Sequence, residues 1–202
     1  MKITLEENMP YALLALVVMG LFYGIYLVKQ WSQKRQGIKT MQIGSRKDSK
    51  IHMVETLMGI ATVGIIPADL LSIAMGWSHL GANARFTGFL VGMLGDLVFL
   101  SAVISMKDSW RAGIPEKDRT KLITGGVFAY SRNPAFLGFD LQYIGVTLMF
   151  CNGLTVMFTI FAVVMLHLQI LQEENYLTAV FGDEYLEYRS HVLRYLGRRK
   201  DR

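Results

Sequence analysis

Long apolar runs separated by basic segments dominate the chain. A helix needs roughly 20 mostly apolar residues to cross a bilayer core. Five stretches meet that requirement fully or marginally: about Pro10 to Val28, Val54 to Trp77, Phe86 to Met106, Pro134 to Phe150 and Leu154 to Leu171. The first holds no charge and is too long for a signal-peptide core, so it is expected to be retained. Asp69, Asp96 and Asp140 fall inside the second, third and fourth. Only Cys151, Asn152 and Gly153 separate the last two runs, which predicts a tight antiparallel hairpin. Beyond the fifth run, Tyr176, Leu177, Val180, Phe181, Tyr185, Tyr188, Val192 and Tyr195 recur at helical spacing among charged residues. Glu173 to Leu196 is therefore expected as a cytoplasmic or interfacial helix, serving as an anchor or as a lid over a site. The pattern predicts an all-α polytopic membrane protein with about five transmembrane helices.

Charge sets the expected orientation. Lys29, Lys34, Arg35, Lys39, Arg46, Lys47 and Lys50 lie between the first two runs. Lys107, Arg111, Lys117, Arg119 and Lys121 follow the third, and Arg189, Arg194, Arg198, Arg199, Lys200 and Arg202 follow the fifth. The opposite face offers Lys2, Arg85 and little else. Positive charge favours the cytoplasmic side, so the N-terminus is expected outside and the C-terminus in the cytoplasm. The length predicts one integral membrane domain, 1–202. Residues 1–121 would hold three spans and the basic loops, and 122–202 a helical hairpin and the C-terminal helix.

Composition narrows the chemistry. The net charge of +5 sits in loops beside apolar runs, which argues for a membrane protein and against a nucleic-acid binder. A single cysteine excludes an intramolecular disulfide and a cysteine-based metal site. His52, His79, His167 and His191 lack metal-ligand spacing, so no metal is expected. No G-x-G occurs, which excludes a Rossmann-type cofactor loop. Gly20–Gly24 and Gly88–Gly92 have GxxxG spacing and predict close helix packing. Trp31, Trp110 and Tyr130 are expected as interface anchors.

Two features can carry chemistry. In Tyr130-Ser-Arg132-Asn133-Pro134, Asn133 is a good N-cap and Pro134 suits the first helical position. The first-turn amides of that helix lack backbone partners and favour an anionic group. Glu173-Glu174 stands at the end of the fifth run, at the same depth. Two acids at a helix C-terminus oppose the dipole and call for a cation, either Arg132 or a ligand ammonium. Phe128, Tyr130 and Phe136 add aromatic faces for an adenine or a sulfonium. The set matches the chemical parts of S-adenosylmethionine.

The segment from Leu122 to Tyr188 resembles the membrane-embedded isoprenylcysteine carboxyl methyltransferases and their phospholipid methyltransferase relatives. The likeness rests on Leu122-Ile-Thr-Gly-Gly-Val-Phe-Ala-Tyr-Ser-Arg-Asn-Pro-Ala-Phe-Leu-Gly138, then Glu173-Glu174, then Phe181-Gly-Asp-Glu-Tyr-Leu-Glu-Tyr188. The family pattern is RHPxYxG, a hydrophobic hairpin, EE, then FGxEYxxY. The resemblance implies S-adenosylmethionine as donor, with S-adenosylhomocysteine as product. Its contacts would be Lys121, Leu122, Ile123, Phe128, Asn133, Pro134, Ala135, Phe136 and Glu173. Arg132, Gln169 and Glu174 are then the candidate catalytic residues, with Gln169 and Asp140 also expected to bind substrate. Three departures stand out. Asn133 replaces the family's His, Phe136 replaces a Tyr, and Gln169 replaces an Arg thought to hold a substrate carboxylate. A neutral glutamine is a poor anchor for a carboxylate in a low-dielectric cavity. An amine or another cationic or neutral acceptor is therefore expected, either lipophilic or small, entering laterally from the lipid bilayer. The competing readings are a phospholipid or amine N-methyltransferase, an NADPH-dependent reductase using Lys117, Arg119 and Lys121, and a non-enzymatic scaffold or small transporter.

Overall fold

The computed structural model describes residues 5–40, 48–111 and 121–199. Their regular structure is helical: α1 (Leu5–Arg35), α2 (Ser49–Ala74), α3 (Ala82–Met106), α4 (Pro134–Met149), α5 (Gly153–Phe181) and α6 (Asp183–His191). Short 3₁₀ turns at Lys107–Ser109 and Gly126–Ala129 flank the segment that leads into α4.

The bundle is built inside out relative to a water-soluble protein. Leu13, Leu27, Val63, Ile104 and Ile160 are exposed on its outer faces, while Arg85, Asp69, Asp96, Asp140 and Gln142 are buried. Helices that are apolar on the outside meet this pattern only in a hydrocarbon surround. Among the described residues, four helical stretches, Asn8–Arg35, Ser49–Ala74, Ala82–Ser109 and Gly153–Phe181, are long and apolar enough to cross a membrane.

α4 takes the place of the expected fourth span but is short. Its 16 residues reach about 24 Å at 1.5 Å per residue, against a bilayer core of about 30 Å. It runs enclosed in the bundle, with Gly138, Tyr143, Gly145 and Met149 among its buried residues.

The predicted α4–α5 hairpin forms at Cys151-Asn152-Gly153. Asn152 Oδ1 accepts from the Leu154 and Thr155 amides at 3.0 and 3.3 Å, and Thr155 Oγ1 accepts from the Asn152 amide at 3.2 Å. This reciprocal capping starts α5. Asn152 Nδ2 also donates to the Trp77 carbonyl (3.2 Å), and the His79 amide donates to the Cys151 carbonyl (2.8 Å). The hairpin is thereby tied to the α2–α3 connection.

Two glycine expectations part ways. Gly88 and Gly92 pack as predicted, in a seam where α3 meets α4. A Cβ on Gly145 would come within 2.5 Å of the Gly92 nitrogen and 2.7 Å of the Gly88 carbonyl oxygen. A Cβ on Gly138 would meet the Phe99 amide nitrogen at 2.9 Å. A Cβ on Gly20 or Gly24 would meet nothing within 4 Å, so among the described residues these two positions need no glycine for close packing. Spacing alone does not say which face of α1 turns inward.

Three further expectations change. Arg85 is not a loop charge but is buried near the start of α3. Its Nη1 donates to Asn8 Oδ1 at 2.7 Å, and its guanidinium lies 4.2 Å from the Tyr11 ring centre and 4.7 Å from that of Phe150. The fifth span does not stop near Leu171: α5 continues to Phe181, so Glu173 and Glu174 are in mid-helix and the dipole argument does not apply to them. Glu173–Leu196 is not one helix either. Gly182, at φ 55°, ends α5; α6 follows, and from Val192 the chain turns into a short hairpin with a Val192–Arg198 bridge.

The α3–α4 seam predicts a contrast. Gly145→Leu should destabilise by about 1–3 kcal/mol or more through overpacking against backbone, whereas Gly20→Ala should be neutral or stabilising by up to about 1 kcal/mol. Thermal unfolding in detergent measures both, and equal shifts would remove the seam as the constraint.

Candidate active site between α4 and α5

The start of α4 and the middle of α5 face a cavity of about 630 Å³. Its α4 side is made by Phe128, Arg132, Asn133, Pro134, Ala135, Phe136, Phe139 and Tyr143, and its α5 side by Leu166, Glu173, Tyr176 and Leu177. The far wall comes from α1 (Tyr23, Tyr26, Leu27) and α2 (Met58, Thr62, Val63, Ile66). Met106, Ser109, Trp110 and Arg111 close one side. Trp110 is thus a buried wall residue, not an interface anchor. Gln33, buried on α1, holds its carbonyl through Nε2 at 3.0 Å, and Tyr26 meets its ring edge-on at 5.3 Å. Trp31 and Tyr130 are exposed.

Asn133 occupies the N-cap position of α4 but does not cap it. Its side chain turns away, and Nδ2 donates to Glu174 Oε1 (3.1 Å) and to the Arg194 carbonyl (3.2 Å). Pro134 stands in the first turn as expected. Helix geometry leaves the first-turn amides without intrahelical acceptors, and no side chain caps them here. Ala135 and Phe136, which carry such amides, line the cavity.

Glu174 joins three parts of the chain. Oε1 takes Arg132 Nη2 at 3.0 Å beside the Asn133 amide, and Oε2 takes Arg194 Nε and Nη2 at 3.2 and 2.9 Å. The Arg132 and Glu174 side chains are only 6% and 4% exposed. Burial pulls the Arg132 guanidinium below the usual arginine value, and the Glu174 carboxylate opposes that pull. The hydrogen bonds to Glu174 push Arg194 up. Arg132 is thus the cation expected for the glutamate pair, and Arg194 is a second one that sequence reasoning assigned only to membrane topology. Glu174 itself is not on the cavity wall; it stands behind Arg132 and Asn133.

Glu173 differs from its neighbour. It lines the cavity, and its Oε1 accepts from Gln169 Nε2 at 3.1 Å. Gln169 is fully buried and off the cavity wall, with its amide committed to Glu173. Asp140, buried on α4, is also off the wall. Lys121, Leu122 and Ile123 are not brought to the cavity, and Lys121 is exposed. Lys117 and Arg119 lie outside the described residues. Among the described residues, no group of three His, Cys, Asp or Glu side chains could hold a metal ion.

The C-terminal segment braces the loop before α4. Tyr188 Oη donates to the Phe128 carbonyl at 2.6 Å and to the Ser131 carbonyl at 3.3 Å. Burial pushes the Tyr188 phenol up, which keeps it a donor. The Arg132 amide donates to the Leu193 carbonyl (3.1 Å), and the Gly197 amide to the Tyr130 carbonyl (2.7 Å). Sequence reasoning places Tyr188 on a helical stripe and at the end of a motif, with no role of its own. A signal for its role was its place in the Phe181–Tyr188 motif.

The segment that builds this site has known relatives. Residues 88–179 match the sequence model of the family described as the isoprenylcysteine carboxyl methyltransferase family. A probable protein-S-isoprenylcysteine O-methyltransferase of Oryza sativa subsp. indica is 34% identical over 110 residues, covering 53% of this chain and 58% of that protein. The protein-S-isoprenylcysteine O-methyltransferase of Schizosaccharomyces pombe is 33% identical over 109 residues, covering 52% and 45%. The human protein of that name is 29% identical over 111 residues, covering 52% and 38%. The chain therefore spans little more than half the length of these relatives at most. The match begins in α3, earlier than the motif at Leu122, and takes in the glycine seam as well as the α4–α5 hairpin. Residues 88–179, which supply the start of α4 and the glutamate pair of α5, are thus the part of the chain that is similar to the isoprenylcysteine carboxyl methyltransferase family.

Proposed function

We propose that this protein transfers a methyl group from S-adenosylmethionine to a lipophilic acceptor at the cytoplasmic membrane face. One observation carries the reading: uncapped first-turn amides, aromatic faces and one carboxylate meet in a cavity whose other walls are mostly apolar. The residues present fit the donor's parts. The Ala135 and Phe136 amides suit a carboxylate, Glu173 suits an ammonium, and Phe128 and Phe136 suit an adenine or a sulfonium. When bound, that donor supplies a methyl group already activated by positive charge. The protein's own part is to bind, orient and exclude water. Phe139, Leu166 and Ile66 keep the cavity dry, and the Glu174 cluster holds Arg132 and Asn133 in place. An acceptor with a neutral amine or a carboxylate needs no strong base.

Access supports a lipophilic acceptor. Leu27 and Val63 line the cavity and are also exposed on the outer surfaces of α1 and α2, so the cavity borders the bilayer there. The basic loops and tail support a cytoplasmic position for this face and an outside position for the N-terminus. The relatives' names favour an isoprenylcysteine carboxylate. Arg111 and Arg132 are the cations on the cavity wall that could attract it. A second reading, an amine acceptor such as an aminophospholipid, is favoured by Gln169, whose amide donates to the Glu173 carboxylate and is off the cavity wall, so it offers nothing to an acceptor carboxylate.

Binding of labelled S-adenosylmethionine to protein in detergent, against NADPH, is the first test; preference for NADPH would replace methyl transfer by the reductase reading. Transfer to N-acetyl-S-farnesylcysteine and to phosphatidylethanolamine then separates carboxylate from amine acceptors. Glu173→Gln should weaken donor binding by about tenfold, the worth of roughly 1.4 kcal/mol at a charged hydrogen bond, with little change in Tm. Unchanged affinity would remove the ammonium role. Glu174→Ala should cost about 3–5 kcal/mol of stability, because it strands Arg132. A stable Glu174→Ala protein that binds donor but does not transfer methyl would instead give Glu174 a chemical role.

A further inference from the structure

Asp48, Asn133 and Asn152 precede α2, α4 and α5 with side chains able to cap them, and one of the three caps is withheld. Asp48, at ψ 118°, accepts from the Lys50 and Ile51 amides. Asn152, at ψ 173°, accepts from the Leu154 and Thr155 amides. Both have the extended backbone that a capping residue ordinarily takes. Asn133 is the same residue type at the same position, yet its ψ is 53° and its side chain makes no cap. It also precedes Pro134, and a residue before proline favours extended backbone. Two local rules direct Asn133 to the capping conformation, so other contacts must hold it elsewhere.

The C-terminal hairpin supplies that hold, because its backbone is bonded to the loop before α4. The Leu193 carbonyl accepts from the Arg132 amide at 3.1 Å, and the Arg194 carbonyl from Asn133 Nδ2 at 3.2 Å. The Gly197 amide donates to the Tyr130 carbonyl at 2.7 Å. Asn133 Nδ2 also donates to Glu174 Oε1 at 3.1 Å, and Arg194 holds the other oxygen of that carboxylate. Turning Asn133 to extended backbone rotates the chain about its Cα–C bond and swings residues 130–132 against α4. The docked hairpin opposes that swing and retains the side chain. An N-cap side chain takes the amide of the second or third helical residue, which here are Ala135 and Phe136. These are the amides assigned above to the donor's carboxylate.

We propose that the hairpin from Val192 to Arg198 licenses donor binding by keeping Asn133 off the cap of α4. With the hairpin docked, the Ala135 and Phe136 amides open onto the cavity. With it released, Asn133 turns, caps α4 and takes those amides in place of a donor carboxylate. Leu193, Arg194 and Gly197 are then positioning residues that act through Asn133. The identity of the ligand rests on the methyl-transfer reading, whereas the withheld cap does not.

Gly197→Pro deletes the amide bonded to Tyr130 and cannot adopt the φ of 123° found at Gly197, so it releases the hairpin. Two measurements on the full chain in detergent test the consequence. Without ligand, hydrogen exchange followed by NMR should be slower at the Ala135 and Phe136 amides in Gly197→Pro than in the unaltered protein. It should be fast again in Gly197→Pro/Asn133→Ala. Faster exchange in Gly197→Pro means loosening without capping and overturns the proposal, whatever the protein binds. Towards labelled S-adenosylmethionine, Gly197→Pro should lose affinity about fivefold, the worth of an ordinary N-cap. Asn133→Ala in that background should regain most of the loss. A further loss makes Asn133 a donor contact and overturns the competition. The slowed exchange, with no donor bound by any of the three proteins, supports the withheld cap and removes the methyl-transfer reading instead. Should Gly197→Pro fail to fold, Arg194→Gln removes the charged tie to Glu174 while leaving Arg132 paired, and gives the same two readings with the same outcomes.

Discussion

The carboxylate of Glu174 is the interaction on which the rest of the site depends. It is nearly buried and divides its two oxygens between Arg132 with Asn133 on one side and Arg194 on the other. A charge in such a place is tolerable only when it is paired and hydrogen-bonded, and here the partners come from two other parts of the chain. The loop before α4, the middle of α5 and the C-terminal hairpin are joined at one point. That joint commits the Asn133 side chain to Glu174, and the first turn of α4 opens onto the cavity without a side-chain cap. The adjacent residue, Glu173, is then free to face the other way. Two neighbouring glutamates on one helix thus divide structural and ligand-facing work by the angle between successive helical positions.

Much of this was legible in the sequence, and for a physical reason. The hydrophobic runs are long, so helix number and order follow from them, and the three-residue gap at Cys151–Gly153 leaves no alternative to a hairpin. Pro134 in the first turn was legible from local helix rules, whereas the pairing of Arg132 with Glu174 follows from their shared depth and not from a helix-end dipole. The mid-helix location of Glu173 and Glu174 was not legible, because a drop in hydropathy looks the same at a helix end as where a helix leaves the apolar layer. α5 simply continues out of the apolar layer, until Gly182 at positive φ stops it. Arg194 was equally hidden. A basic tail satisfies a topology rule as well as it supplies a buried ion-pair partner, and composition cannot separate the two. The walls from α1 and α2 were invisible for the opposite reason, since Tyr23, Tyr26 and Met58 have no spacing that marks them as cavity residues.

The division between matched and unmatched sequence runs through the cavity. Residues 88–179 supply the α4 and α5 sides, whereas Tyr23, Tyr26, Leu27, Met58, Thr62, Val63 and Ile66 lie outside the family segment. In the proposed reaction, the donor parts fall within the matched segment, and the wall an acceptor would touch is partly outside it. The shared name of the relatives therefore bears more on the donor than on the acceptor.

The glycine seam has a mechanical consequence. Where α3 and α4 touch backbone to backbone, no side chain can change rotamer to let them part or slide. The pair behaves as a stiff plate, because close-packed interiors yield little. Compliance is left to the opposite wall, where the methionine Met58 and the exposed Leu27 and Val63 have room to move. A bulkier guest is thus accommodated by α1 and α2 yielding toward the lipid, while the geometry at the start of α4 is held constant.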